Sequence, residues 1–185
     1  MRLSKLGYYS DYLAYPVVIG ALVTAGLETG SRAQLEEWPL AVVCGLVVWS
    51  LMEYVLHRSV LHGRNYFSPM HGVHHSEPLA LVGTPTWMSV GVLTLGIFAP
   101  GCWLIGLPLA AGLTTGVMLG YVWYGLVHHV IHHWHPRPEQ TYFKAVRARH
   151  LRHHHSPNGG NFGVTTALWD HVFGTVIRLA HAKAA

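Results

Sequence analysis

The chain has 185 residues, of which 51% are hydrophobic and only 11% charged, less than half of the roughly 25% charged residues usual in a soluble domain. Its 12 Lys and Arg against 8 Asp and Glu give a net charge of +4, yet no basic face interleaved with aromatic or polar readers is evident, which argues against a nucleic acid partner. Cys44 and Cys102 sit far apart in apolar runs, outside any CxxC pattern, and read as packed or lipid-facing thiols.

The N-terminal stretch MRLSKLGYYSDYLAYP carries Asp11 and Pro16 ahead of its apolar run and shows no small-residue cleavage site, so no removable signal peptide is expected. Four apolar stretches follow, at residues 12–27, 38–56, 86–105 and 107–127. A membrane-spanning helix needs about 20 predominantly apolar residues; the last three stretches meet that length and the first is short. The run 86–127 holds no Asp, Glu, Lys, Arg or His, which a buried soluble helix pair would rarely manage. Pro100, Gly101 and Pro108 punctuate it, and inside a bilayer neighbouring helices can satisfy the freed backbone groups. The expected fold is an all-α integral membrane protein of about four transmembrane helices, forming a single membrane-embedded domain over 1–185.

Four spans place 11 of the 12 cationic residues on one side, because only Arg32 falls in a hairpin loop of the other side. The positive-inside rule makes the crowded side cytoplasmic, together with both termini. Trp87, Trp103, Tyr121, Trp123, Tyr124 and Trp134 read as interfacial aromatic belts.

Histidine is the anomaly, with 16 copies. His57 and His62 follow the second stretch; His71, His74 and His75 come next. His128, His129, His132, His133 and His135 follow the fourth stretch, and His150, His153, His154 and His155 form the last group. Only His171 and His181 stand apart. Stretches two and four end on the same membrane face, so all the groups meet in one cytoplasmic helical cap. Positions three and four apart share a helix face, which aligns His71 with His74 and His75, His128 with His132, and His150 with His153 and His154. His57 and His62 are offset by about 140° on an α-helix and need a bend to converge, which the following Gly63 could provide.

A proton path or pH sensor would also use imidazoles, but protonated neighbours this dense would repel one another. Neutral imidazoles sharing cations remove that conflict, and five or so around each of two metals is the natural division. Zinc, copper, iron and nickel all accept imidazole, so spacing leaves the metal open. His129, His133, His135 and His155 are expected either to orient ligands through hydrogen bonds or to line the surface. Glu53, one turn before His57, is an ionisable group inside a span and a candidate for the same supporting work. Asp170 is expected to accept an imidazole N–H or to pair with a nearby cation. Asn158, Gly159, Gly160 and Asn161 read as a flexible turn.

The segments EYVLHRSVLH, HGVHHSEP, YGLVHHVIHH, HLRHH and NFGVTTALWDHVFGT resemble the histidine boxes of the membrane fatty acid hydroxylase and sterol desaturase superfamily, most closely its fatty acid 2-hydroxylases. The resemblance covers roughly 53–175. It implies two iron ions, held by His57, His62, His71, His74, His75, His128, His132, His150, His153 and His154, with O2 as co-substrate and a lipid acyl chain as substrate. Zinc could occupy such a site in purified protein but has no redox chemistry. The resemblance also implies an external electron donor, a separate protein such as a cytochrome b5 or ferredoxin, since the chain offers no room for a fused one. Gly125 and His129 depart from the family pattern, which often has Asp and Tyr there. The remaining alternatives are a lipid desaturase or a carotenoid hydroxylase with the same centre, and a histidine-rich metal transporter. A transporter would place its ligands near the bilayer midplane, where this chain has none.

Overall fold

The structure is a computed structural model describing residues 2–156 and 159–178. Asn158 of the expected turn, the isolated His181 and the last cation, Lys183, lie outside the described residues. The described residues are helical, with no strand beyond one antiparallel bridge between Arg2 and Val82.

Helices α1 (Lys5–Tyr9) and α2 (Asp11–Thr29) make the first rod, and α3 (Arg32–Val55) runs on into a π-helical turn, Leu56–Leu61. The short α4 (Ser68–Ser76) carries HGVHH. A third rod joins α5 (Thr86–Leu93), a second π-helical turn and α6 (Ala99–Ile105); the fourth is α7 (Leu107–His133). Helices α8 (Thr141–His154) and α9 (Leu168–Val172) complete the chain. The four rods, Lys5–Thr29, Arg32–Leu61, Thr86–Ile105 and Leu107–His133, are each long and apolar enough to cross a membrane.

The first rod is longer than its apolar run suggests. Ser4 caps α1 by accepting the Gly7 N–H at 3.0 Å, so the helix starts seven residues before residue 12. At the start of α3, Ser31 and Gln34 form a reciprocal capping box. Gly106, at φ 79°, makes the sharp turn that the run from α6 into α7 requires, and Pro108 follows inside the first turn of α7.

Helix α7 is the axis of the bundle and packs most extensively on α3, then on α2. The α3–α7 crossing depends on two glycines. A β-carbon at Gly116 would lie 2.0 Å from the Val42 carbonyl oxygen, and one at Gly45 would lie 2.1 Å from that of Leu113. Small residues let backbones approach where lipid offers no hydrophobic drive between helices. Tyr15, Trp49, Val117 and Met118 fill the interior around this crossing. Outward, Leu13, Val17, Leu95 and Trp103 are exposed, an apolar jacket suited to lipid. The close α3–α7 contact brings the ends of both helices, and with them His57 and His128, to one end of the bundle beside α4 and α8.

Candidate metal centre

Ten histidines converge at that end in two groups of five. His57, His62, His71, His75 and His153 form the first; His74, His128, His132, His150 and His154 form the second. Within each group the ligand-capable atoms all lie within 4.8 Å of one another, and each group could hold a metal ion. The expected division, five imidazoles on each side, is therefore present in space, and it cuts across the sequence motifs. HGVHH gives His71 and His75 to the first group and His74 to the second, while HLRHH gives His153 to the first and His150 and His154 to the second.

Local backbone explains both kinds of convergence. His128 with His132, and His150 with His154, use i, i+4 spacing on regular helix. His57 and His62 are brought together by the π-helical turn, where the His62 N–H reaches the His57 carbonyl at 3.2 Å, an i→i+5 bond. The bend thus lies before His62, in the turn itself, and not at the Gly63 that follows.

The ring nitrogens fit metal better than they fit one another. In the first group, Nε2 of His71 is 3.0 Å from Nε2 of His57 and of His62, and 3.1 Å from that of His75. His62 Nε2 is also 3.0 Å from His153 Nε2. His57 and His153 have already committed an N–H, because their Nδ1 atoms donate to the carbonyls of Phe162 at 2.6 Å and Gly160 at 2.7 Å. A neutral imidazole has one N–H, so the three remaining rings cannot supply a hydrogen to all four contacts. The second group repeats the spacing, with His150 Nε2 at 3.0–3.1 Å from Nε2 of His128, His132 and His154. Two nitrogens each about 2.1 Å from one metal are about 3.0 Å apart at a right angle and about 3.4 Å apart at the tetrahedral angle. The observed spacing fits a centre of higher coordination than four.

Burial keeps these rings neutral, as ligation demands. Desolvation, followed by neighbouring imidazoles, lowers His74 to about 3 and His154 to about 2. The same causes lower His62 to about 4. Desolvation also takes His153 to about 4, against the opposing hydrogen bond to Gly160. His71, His75 and His150 are lowered for the same primary reason.

The expected supporting residues sort differently. Asp170 touches no imidazole. Its carboxylate accepts the backbone N–H groups of Phe162 and Gly163, both at 2.8 Å, and the Thr175 hydroxyl at 2.7 Å. Glu53 likewise accepts the N–H groups of Val164 and Thr165 at 2.7 and 2.8 Å and the Thr165 hydroxyl at 2.6 Å. The two buried carboxylates clamp the loop whose carbonyls orient His57 and His153, so they act on the imidazoles one step removed. Gly160 and Asn161 are tied into that loop and do not form a free turn, whereas Gly159 bonds locally to Ser156, whose hydroxyl donates to its carbonyl at 3.0 Å. Asn161 is buried; it donates to the Arg149 carbonyl at 3.3 Å and accepts from the Ile177 N–H at 3.0 Å.

His129 and His133 stack on each other, with ring centroids 4.4 Å apart, and His129 Nδ1 meets the Tyr8 hydroxyl at 3.3 Å. Neither belongs to the two groups, and His135, His155 and His171 are exposed outside them. Trp87, Trp103, Trp123 and Trp134 are exposed, as a belt requires. Tyr121 and Tyr124 are not: Tyr124 stacks on His128 with an interplanar angle of 11°, and Tyr121 donates to Asp11 at 2.7 Å. Both line a cavity of about 140 Å³ that His71 of the first group and His74 and His128 of the second also border. Reading the sequence missed the carbonyls of Gly160 and Phe162, which carry no side-chain signal. It also missed Asp11 and Tyr8, which lie far from every histidine motif.

The geometry describes a histidine-rich membrane helical bundle, and comparison with known proteins gives its family. Residues 42–175 match the family model described as "Fatty acid hydroxylase"; the chain belongs to that family. It is 34% identical over 148 residues to dihydroceramide fatty acyl 2-hydroxylase FAH2 of Arabidopsis thaliana, covering 74% of this chain and 60% of the relative. It is 32% identical over 155 residues to fatty acid 2-hydroxylase of Homo sapiens, covering 75% and 40% respectively. A solved structure of full-length scs7p, with only its hydroxylase domain visible, superposes with a TM-score of 0.79 at 26% identity, covering 93% of this chain and 67% of that one. The chain therefore spans 60% or less of the length of these two curated relatives. The family match does not favour the desaturase, carotenoid or transporter alternatives.

Proposed function

We propose that this chain is a di-iron monooxygenase that hydroxylates a lipid acyl chain, in the manner of a fatty acid 2-hydroxylase. The observation that carries the reading is the pair of five-imidazole groups bordering one cavity beside an apolar bundle. Each group would hold one iron: His57, His62, His71, His75 and His153 on one side, His74, His128, His132, His150 and His154 on the other. When bound, the iron pair supplies O2 activation and oxygen insertion into a C–H bond; zinc in the same place would be inactive.

The residues of the chain do the rest. The Phe162 and Gly160 carbonyls fix the tautomers of His57 and His153 and leave Nε2 free to ligate. Glu53 and Asp170 hold those carbonyls in place. Leu61, Met70 and Val122 line the cavity with apolar surface, which suits an acyl chain and limits water near the reacting carbon. Two electrons come from a separate protein such as a cytochrome b5 or ferredoxin. The chain acts as one domain over 1–185, and the excess of cations at the histidine end supports a cytoplasmic site with both termini on that side.

Accurate-mass lipid profiling of cells expressing the wild type or His71→Ala tests the reading. A histidine-dependent gain of one oxygen on an acyl chain is expected, with at least about a hundred-fold drop in the variant. A histidine-dependent loss of two hydrogens would make the protein a desaturase. No change, with iron and a donor supplied, would overturn lipid oxidation.

A further inference from the structure

The cavity has one wall that the oxygenation reading does not use. His71, His74 and His128 form one side, and Asp11 lies in the wall with Tyr12 and Tyr121. Asp11 opens α2, and its carboxylate is held in place by two hydroxyl donors, Thr86 at 2.5 Å on Oδ1 and Tyr121 at 2.7 Å on Oδ2. Thr86 is itself tied to the Ser10 hydroxyl at 2.7 Å. The ion pairs found among the described residues, Arg2–Glu77 and Arg32–Glu36, do not include Asp11. A carboxylate has about four lone-pair sites, so two remain after its hydroxyl partners are counted. This is a fixed acceptor, with no cation paired to it, on the wall of the cavity that the imidazoles share.

An anionic acceptor discriminates between the heads an acyl chain can carry. An amide N–H or a hydroxyl can donate to it. A free fatty acid brings a second carboxylate and no proton to share, and like charges in a half-buried site repel. We propose that Asp11 is a specificity residue that selects acyl chains bearing a hydrogen-bond donor at the head, an N-acyl amide, and rejects the free fatty acid anion. The inference rests on the acyl-lipid reading of the site and deepens it. Tyr121 and Thr86 act as positioning residues, holding the carboxylate in one orientation.

The test uses the purified full chain in detergent micelles with three probes of equal acyl length: N-octylhexadecanamide, its N-methyl derivative and hexadecanoate. Binding is read from ligand-induced shifts in Tm. The wild type binds the secondary amide about ten-fold more tightly than the N-methyl amide, the loss expected for one hydrogen bond to a charged acceptor, and discriminates against hexadecanoate by at least as much. Asp11→Asn, which keeps the shape and can donate to a carboxylate, gains affinity for hexadecanoate and loses most of the amide preference. If Asp11 only ties α2 to α5, the variant lowers Tm without ligand and leaves the preference unchanged, and the proposal falls. If Asp11→Asn does not fold, the wild-type comparison of the two amides decides alone, since equal affinities overturn the proposal. Lipid profiling separates this from failure of the function itself: oxygen gained on free fatty acid ends the Asp11 proposal alone, whereas no oxygen gained on any lipid ends the functional reading.

Discussion

In the first histidine group, His57 sits in a π-helical turn and both His57 and His153 lean on backbone carbonyls of an irregular loop. The second group is arranged otherwise. His128, His132, His150 and His154 occupy i, i+4 positions on regular α-helix, and His150 Nδ1 is buried without a hydrogen-bond partner among the described residues. Two five-imidazole sets with the same nitrogen spacing are thus reached by different means. One depends on a clamp of polar contacts closed by Glu53 and Asp170, the other on helix periodicity and on the stacked Tyr124 ring. Ligands set by helix periodicity alone keep their direction when a neighbour is lost; His57 and His153 do not, because the loop carbonyls that accept their N–H groups are part of their orientation.

This asymmetry can be broken on one side at a time. Asp170→Ala removes acceptors for two buried N–H groups and frees the loop. It should weaken the first group's metal about 10–100-fold, the usual cost of losing an orienting partner, while the second group's metal is retained. Chelator competition read by metal content shows one metal lost easily and one held; equal loss of both would mean that the two groups are not independently supported.

Acid separates individual imidazoles, not whole groups, since burial lowers His71 of the first group as well. The folded values are depressed, so neutral rings favour the folded state above the ordinary histidine value near 6.5, and that stability is lost as pH falls through the folded values. His62 and His153 of the first group lie at about 4, His74 and His154 of the second at about 3 and about 2. The metal-free protein should hold its Tm above pH 6.5 and lose it progressively toward pH 4. Nitrogen-resolved NMR of the imidazoles should see His62 and His153 protonate before His74 and His154, and the reverse order would contradict the burial argument.

The smallest effect is at the aromatic support. Tyr124→Leu keeps apolar bulk beside His128 but removes the stacked ring; a few-fold loss of metal affinity confined to the second group is expected, of the order of an aromatic pair. His129→Ala, whose ring faces Tyr8 and His133, should leave both metals within about two-fold, which the same competition assay checks.

Much of this was legible in the chain itself. Apolar length gave three of the four rods at full span and the core of the first, because a span must satisfy its backbone internally and helix is the only open-ended way to do so. Helical spacing gave the pairing of His128 with His132 and of His150 with His154, because i and i+4 share a face whatever surrounds them. The family resemblance of 53–175 rested on local segments that survive intact in the sequence. What spacing could not reach was the assignment of neighbours in one motif to different groups. His74 and His75 are adjacent in HGVHH yet belong to opposite groups, since a step of about 100° around α4 sends them to different sides.

Nor could sequence show that Asp170 and Glu53 serve the imidazoles through a loop, or that the carbonyls of Phe162 and Gly160 are the immediate partners, because a backbone carbonyl looks the same at every position. Asp11 was visible only as a charge at the start of an apolar run. Its place on the cavity wall depends on α2, α5 and α7 packing together, with Thr86 and Tyr121 arriving from 75 and 110 residues away. Periodicity and composition are written residue by residue, so the sequence determined the helices and the ligand-bearing faces. Which face meets which, and which carboxylate reaches the cavity, are properties of pairs of elements distant in the chain, and only the tertiary packing decided them.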